Sequence, residues 1–166
     1  MHFVEIIRRQ DPEAVDRILR TLPAWFSVEE AIVNYVESAS LRDSFLAVIQ
    51  GHVIGVALVI RHFPQSAELS LIAVDANHRG NGVGSALVNA ISASLFTDGC
   101  KLLQVRTVGP SFEDDAYSES RAFYRRAGFL PLQEFERIDW DGPSLVLVKP
   151  LQKPQQMANP KHKSAT

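Results

Sequence analysis

The residues best placed to do chemistry lie in one glycine-rich turn, Arg79-Gly80-Asn81-Gly82-Val83-Gly84-Ser85. It falls between an apolar stretch, Glu68 to Val74 (ELSLIAV), and a segment with the spacing of an amphipathic helix. In that segment Val83, Ala86, Leu87, Ala90, Ile91, Ser94 and Leu95 recur at i, i+3, i+4 and i+7, and Gly99 is placed to stop the helix. The first turn of a helix presents backbone N–H groups without intrahelical partners and roughly half a positive charge, so it attracts phosphate. Glycines let the backbone approach such an anion closely, and Arg79 adds a permanent cation. A tight strand-to-helix turn by itself needs only one glycine. No Gly-Lys-Ser/Thr follows, which excludes a Walker A loop. The dinucleotide pattern fails too, because counting from Gly80 and Gly82 its third glycine falls on Ser85.

The surrounding segments supply the elements that must position this turn. Phe3 to Arg8 reads as a strand. Asp11-Pro12-Glu13 offers an N-cap, a proline at the first helical position and an acidic first turn, ahead of a helix carrying Val15, Ile18, Leu19 and Leu22 on one face. Ser27-Val28-Glu29-Glu30 reads as a capping box that opens a second helix, with Ala31, Tyr35 and Ala39 on its apolar side. Ser44 to Gln50 and Val53 to Arg61 flank a Gly51-His52 turn and predict a hairpin. Glu68 to Val74 predicts a central strand, and Lys101 to Val108 the next one. Gly109 to Ala116 is an acidic loop, and Tyr117 to Ala127 a helix ended by Gly128. Leu132 to Ile138 and Leu145 to Val148 predict a second hairpin across Asp141-Gly142. The strand-helix-strand unit from Glu68 to Val108 predicts a right-handed parallel crossover. With hairpins on either side the class is α+β, a mixed twisted central sheet flanked by helices.

At 166 residues the chain fits one domain, expected over 1–151, with a proline-rich polar tail over 152–166 expected to be disordered. There is no internal repeat. A net charge of -2 argues against a nucleic-acid-binding surface. The single Cys100 rules out an internal disulfide and fits a reducing compartment. The N-terminus lacks a secretory apolar region, and no apolar run approaches the ~20 residues that span a bilayer, so the expected location is cytoplasmic without membrane contact. The five histidines form no ligand spacing, and no metal is expected.

Arg79, Gly82 and Gly84 match the R/Q-x-x-G-x-G/A pyrophosphate loop of the GNAT (Gcn5-related N-acetyltransferase) family, directly after a strand ending Ile72-Ala73-Val74. Forty positions beyond Gly84, Tyr124 opens a stretch, Tyr124 to Phe129, that resembles the family's Y-x-x-x-G-F motif. The order of elements agrees as well, and the resemblance covers roughly Phe3 to Leu151. It implies an acyl-CoA site in a cleft where two parallel strands part. Backbone groups of Ile72, Ala73 and Val74 would pair with the pantetheine arm, and amides of Gly80, Asn81, Gly82, Val83, Gly84 and Ser85 would take the pyrophosphate. The Val74 N–H is the implied donor to the thioester carbonyl. Tyr124 matches the general acid for the departing thiolate. Glu68, the one acid of its strand, is the implied base; a solvated strand-end carboxylate and deprotonation by water are the alternatives.

Tyr117 stands where the family often has an asparagine that contacts the pantetheine, so it is assigned either there or to the acceptor, and Ser120 is a further cofactor contact. The acceptor walls fall on Trp25, Phe26, Phe112, Tyr117 and Trp140, aromatics that could equally serve as core or edge packing. Acids in the Phe112-Glu113-Asp114-Asp115 loop would favour a cationic amine. Cys100 lies at the far end of its strand, roughly 20 Å from the thioester at ~3.3 Å per residue, which favours direct transfer in a ternary complex. The resemblance thus implies an acetyl-CoA-dependent N-acetyltransferase acting on a primary amine of a small molecule or peptide. A non-catalytic acyl-CoA-binding module is the alternative, and a homodimer is left open. An aminoacyl-tRNA acceptor is disfavoured by the absence of a dense basic stripe.

Overall fold

In a computed structural model, which describes residues 3–153, the chain runs β1 (Glu5–Arg8), α1 (Pro12–Leu19), α2 (Glu29–Ala39), β2 (Asp43–Ile49), β3 (His52–Phe63), β4 (Ser66–Val74), α3 (Val83–Thr97), β5 (Leu102–Val108), α4 (Asp115–Arg126), β6 (Leu130–Phe135) and β7 (Ser144–Pro150). A short 3-10 turn, Ala76–His78, joins β4 to the glycine-rich loop. The seven strands form one mixed sheet in the order β1-β2-β3-β4-β5-β7-β6. Only β4 and β5 run parallel, the signature of the expected crossover through α3. The fold is α+β. The expected tail falls almost wholly outside the described residues.

Each face of the sheet carries its own core. One face packs Ala57, Val59, Leu69, Leu103, Val105 and Leu147 against α3, whose Leu87, Ile91 and Leu95 are buried. The other packs Leu46, Val56, Leu58, Leu71 and Ala73 against α1 and α2. Helix α1 begins as its sequence predicts: the Asp11 side chain accepts from the Ala14 N–H at 3.0 Å, and Pro12 takes the first position, where no N–H is needed.

Helix α2 begins differently. The expected capping box does not form; Val28 is the N-cap residue, and no side chain caps it. Glu29, the first helical residue, accepts two bonds from Arg20, at 2.7 and 2.9 Å, tying the start of α2 to the end of α1. Buried Ile32 and Ala39 face the core, while Tyr35, read as core-facing, is only half-buried. The second hairpin also departs from expectation. Strand β6 ends at Phe135, residues 136–143 form a broad loop in place of a tight Asp141-Gly142 turn, and β7 inserts between β5 and β6.

Strand β4 has two irregularities, a bulge and an early end to its pairing with β5. Leu69 pairs with Val59 and Leu71 with Leu58, so Ser70 is an extra residue, and its hydroxyl donates to the Leu58 carbonyl at 3.3 Å. Side chains change faces there: Ala67 and Leu69 point to α3, whereas Leu71 and Ala73 point to α1 and α2. Pairing between β4 and β5 covers Ser66↔Leu102, Ala67↔Leu103 and Glu68↔Gln104, and then stops. Beyond Glu68 the two strands part.

Helix α3 lies close to the sheet at Gly55 of β3. A Cβ at this position would stand 3.0 Å from Val83 Cγ1 and 3.2 Å from Leu87 Cδ1. Overpacking of a filled core costs ~1–3 kcal/mol. Gly55→Val is expected to lower the stability measured by urea unfolding by that amount, and an unchanged midpoint would show that α3 can move away freely.

Candidate active site

The gap between β4 and β5 presents backbone as its working surface. The Asp75 N–H donates to the Ile54 carbonyl at 2.9 Å. Antiparallel strands alternate their hydrogen-bonding direction, so Ala73 also faces β3, while Ile72 and Val74 point their backbone groups the other way, into the gap. There β5 offers them no partner. The gap widens into a cleft of about 1170 Å³ that runs from the glycine-rich loop to the loop between β6 and β7. Ala73, expected with its neighbours as a cofactor contact, directs its side chain into the α1–α2 core.

At one end the cleft meets the N-terminus of α3. Gly80 and Gly82 have φ of 77° and 79°, a region that other residues enter only with strain. Gly82 is the N-cap and carries no capping side chain; the first helical bond runs from the Ala86 N–H to the Gly82 carbonyl. The amides of Val83, Gly84 and Ser85 therefore lack intrahelical acceptors, and these residues line the cleft. Unpaired donors at the positive end of a fifteen-residue helix fit a pyrophosphate. Asn81 does not line the cleft. Its amide donates to the His78 and Arg79 carbonyls at 3.4 and 3.3 Å and braces the loop.

Arg79 is already engaged. Its guanidinium carbon lies 4.1 Å from the centroid of the Trp25 ring, and Nη2 stands 3.5 Å from Glu119. The Trp25 indole N–H donates to Ser120 Oγ at 2.9 Å and to the Ala116 carbonyl at 3.2 Å, and the Tyr117 hydroxyl donates to the Trp25 carbonyl. The α1–α2 loop is thus fastened across the cleft to α4. Ser120 and Tyr117, expected as cofactor contacts, spend these polar groups on the fastening.

Tyr124 projects from α4 with its ring edge-on to Phe123 and Phe129, at centroid distances of 5.4 and 5.6 Å. It lines the cleft, and among the described residues nothing hydrogen-bonds its hydroxyl. Burial, with a smaller contribution from Tyr35, lifts its phenol above the ordinary tyrosine value. The phenol therefore stays protonated at neutral pH. The other two tyrosines of the chain, Tyr35 and Tyr117, also line the cleft, and burial raises both. Phe112 and Trp140 form an edge-on pair at 5.4 Å, and Phe26 meets Tyr35 the same way at 5.9 Å. Cys100 is buried and lies off the cleft.

Glu68 is not a solvated strand end. It is 5% exposed and sits at the last paired position of the splay. His62 Nε2 lies 2.7 Å and Gln104 Nε2 3.2 Å from Oε2; Arg106 Nε and Nη2 reach Oε1 at 3.3 and 3.1 Å. An ionised carboxylate only accepts, so the His62 nitrogen facing it carries the hydrogen. Burial works against its charge, but the His62 hydrogen bond and the Arg106 charge outweigh burial and hold the carboxyl below its ordinary value of 4.5. A carboxylate offers about four lone-pair positions, and all are engaged. Expected as the base, Glu68 thus has no lone pair left for an incoming proton. Arg106 reaches on from Glu68 to Asp139, with Nη1 to Oδ1 at 2.6 Å.

Tyr35, Arg106 and Asp139 were not singled out from sequence as site residues. For Arg106 the signal was available: Leu103 and Val105 are buried while Gln104 and Arg106 alternate with them on the opposite face. Among the described residues no group of three histidines, cysteines or carboxylates could hold a metal, and no helix is long and apolar enough to cross a membrane.

A depressed carboxyl stabilises the fold above its unfolded pKa and loses that contribution as pH falls through its folded value. Glu68→Gln is therefore expected to be less stable than the wild type at about pH 7, with the gap narrowing toward about pH 3. Urea midpoints at the two pH values measure this. A gap independent of pH would mean that the Glu68 charge contributes nothing.

Among curated proteins none matches this sequence. Solved structures share its fold. A GNAT-family protein from Desulfovibrio desulfuricans superposes with a TM-score of 0.80 at 20% identity, covering 90% of this chain and 100% of that one. An aminoglycoside 6'-N-acetyltransferase complexed with coenzyme A gives 0.71 at 18% identity, covering 93% and 99%. The ribosomal-protein-S18-alanine N-acetyltransferase from Escherichia coli gives 0.68 at 17%, covering 96% and 99%. At these identities the likeness is one of fold. The sequence itself matches the family model described as Acetyltransferase (GNAT) family over residues 5–129, and the chain belongs to that family of acyltransferases.

Proposed function

We propose that the protein transfers the acetyl group of acetyl-CoA to a primary amine, by direct attack within a ternary complex. One observation carries this reading above the others. The open backbone edge of Ile72 and Val74 leads to the uncapped N-terminus of α3, and across the same cleft lies Tyr124, protonated and with no hydrogen bond to its hydroxyl among the described residues. The amides of Val83, Gly84 and Ser85 suit the pyrophosphate, with Arg79 beside them. The backbone of Ile72 and Val74 suits a pantetheine arm held like another strand. Bound acetyl-CoA supplies an acyl group activated as a thioester.

Within this reading the Val74 N–H is a fixed dipole for the negative charge that develops on the carbonyl oxygen. Tyr124 holds the proton that the departing thiolate needs, and its raised phenol keeps that proton available at neutral pH. Glu68 fixes Arg106, and the amine gives up its proton to water. Phe26, Phe112 and Trp140 wall the acceptor end, while Trp25 closes the side toward the loop.

The test is release of free thiol from acetyl-CoA across a panel of small amines and peptides, with acetylated product in equal amount. CoA binding by calorimetry without thiol release from any acceptor would favour the non-catalytic acyl-CoA-binding module. Tyr124→Phe keeps the ring and its packing but deletes the hydroxyl. It is expected to lower the single-turnover rate by up to ~10²–10⁴-fold while acetyl-CoA affinity changes little. A wild-type single-turnover rate would remove Tyr124 from the chemistry.

A further inference from the structure

Among the described residues four carboxylates line the cleft, and three of them have evident work. Glu68 accepts on every lone pair. Glu119 pairs with Arg79 at the loop end, and Asp114 is the N-cap of α4, accepting from the Tyr117 N–H. Asp139 differs. Its Oδ1 accepts from Arg106, which holds the side chain in place, while Oδ2 takes no hydrogen bond among the described residues. Trp140 follows it in the chain, edge-on to Phe112, and the Tyr35 hydroxyl lies within electrostatic reach. At this end of the cleft Glu68 is surrounded by donors from His62, Gln104 and Arg106, whereas Asp139 meets the Arg106 guanidinium through Oδ1 alone and keeps Oδ2 open to the cleft.

The charge that Asp139 holds cannot be on the nitrogen that reacts. A carboxylate stabilises an ammonium and so raises its pKa, and only the neutral amine has the lone pair needed to attack a thioester. A cation docked on Asp139 must therefore be one that persists through the reaction. We propose that Asp139 is the specificity-determining carboxylate for a small acceptor with a second positive charge, a diamine or a guanidinium-bearing amine. The second cation binds Oδ2, and the methylene spacer lies against Trp140 and Phe112. This rests on the transferase reading above and names its acceptor class.

A series of α,ω-diamines and the matching amino alcohols tests the proposal, because each pair exchanges a distal ammonium for a neutral hydroxyl of similar size; the diamine's second reactive nitrogen accounts for only about a twofold statistical gain. Two readouts are taken for wild type and Asp139→Asn: kcat/KM at saturating acetyl-CoA, and calorimetric binding to the CoA-saturated protein. The asparagine keeps the size of the side chain and an oxygen for Arg106. Wild type is expected to prefer the diamine by roughly ten- to a hundredfold, as for a charge-assisted hydrogen bond. In Asp139→Asn the preference is expected to fall to within a fewfold. A wild type without preference, or a variant that keeps it, overturns the proposal. A binding preference that Asp139→Asn abolishes, with no turnover of any amine, upholds the subsite and sinks the transferase reading instead.

Discussion

Everything at the site depends on a pair of strands that stop pairing. Strands β4 and β5 share three residue pairs and then diverge, in the middle of the sheet. Unpaired backbone is tolerated at a sheet edge, where water can reach it, but inside a sheet it is a standing demand for a partner. The Ser70 bulge sharpens this. By adding one residue it turns Leu71 and Ala73 toward the α1–α2 core and leaves Ile72 and Val74 with their backbone groups at the gap. Helix α3 adds a second set of unmet donors at the mouth of the same gap. The acetyl-CoA proposed above, with an amide-bearing arm and a pyrophosphate, would satisfy both.

The far end of the cleft is built on a different principle. Helices α1 and α2 cover the sheet over β2, β3 and the bulged half of β4. Where that cover ends, the same face turns polar, with His62, Glu68, Gln104 and Arg106 contributed by three strands. Such groups can stand together only because each hydrogen bond is made, and removing one partner from a buried charge leaves the other uncompensated. The network therefore does two things at once. It closes the sheet below the splay, and it aims Arg106 at Asp139.

Much of this was legible in the residues. The glycine-rich turn, the apolar run before it and the periodic run after it carry their geometry locally, and the structure places all three as read. What stayed hidden depends on distant partners. Ser27 to Glu30 has the composition of a capping box, yet the helix starts one residue later, with Val28 as its N-cap and Glu29 paired to Arg20 of the preceding helix end. Asp141-Gly142 has the composition of a tight turn, but Trp140 folds back to donate to the Pro143 carbonyl, and the connection broadens into a loop. Glu68 could be found from sequence, but not the convergence of His62, Gln104 and Arg106 on it from β3 and β5, which only the strand register sets. Arg79 likewise reads as a free cation until Trp25, far off in sequence, appears beneath it.

The placement of β7 has a consequence for how the chain reaches this state. Strand β5 has only three residue pairs on its β4 side, whereas β7 pairs with it along its whole length, from Leu102↔Pro150 to Val108↔Ser144. Its hydrogen bonding thus depends chiefly on a strand that leaves the ribosome well after it. Contacts between segments so far apart in sequence form more slowly than local ones. A nascent chain that has not yet exposed Ser144 holds a strand of alternating Leu103 and Val105 with one flank open, a surface prone to pairing with other chains. The partial detachment of β5 from β4 that opens the cleft thus leaves completion of the sheet to a strand distant in sequence.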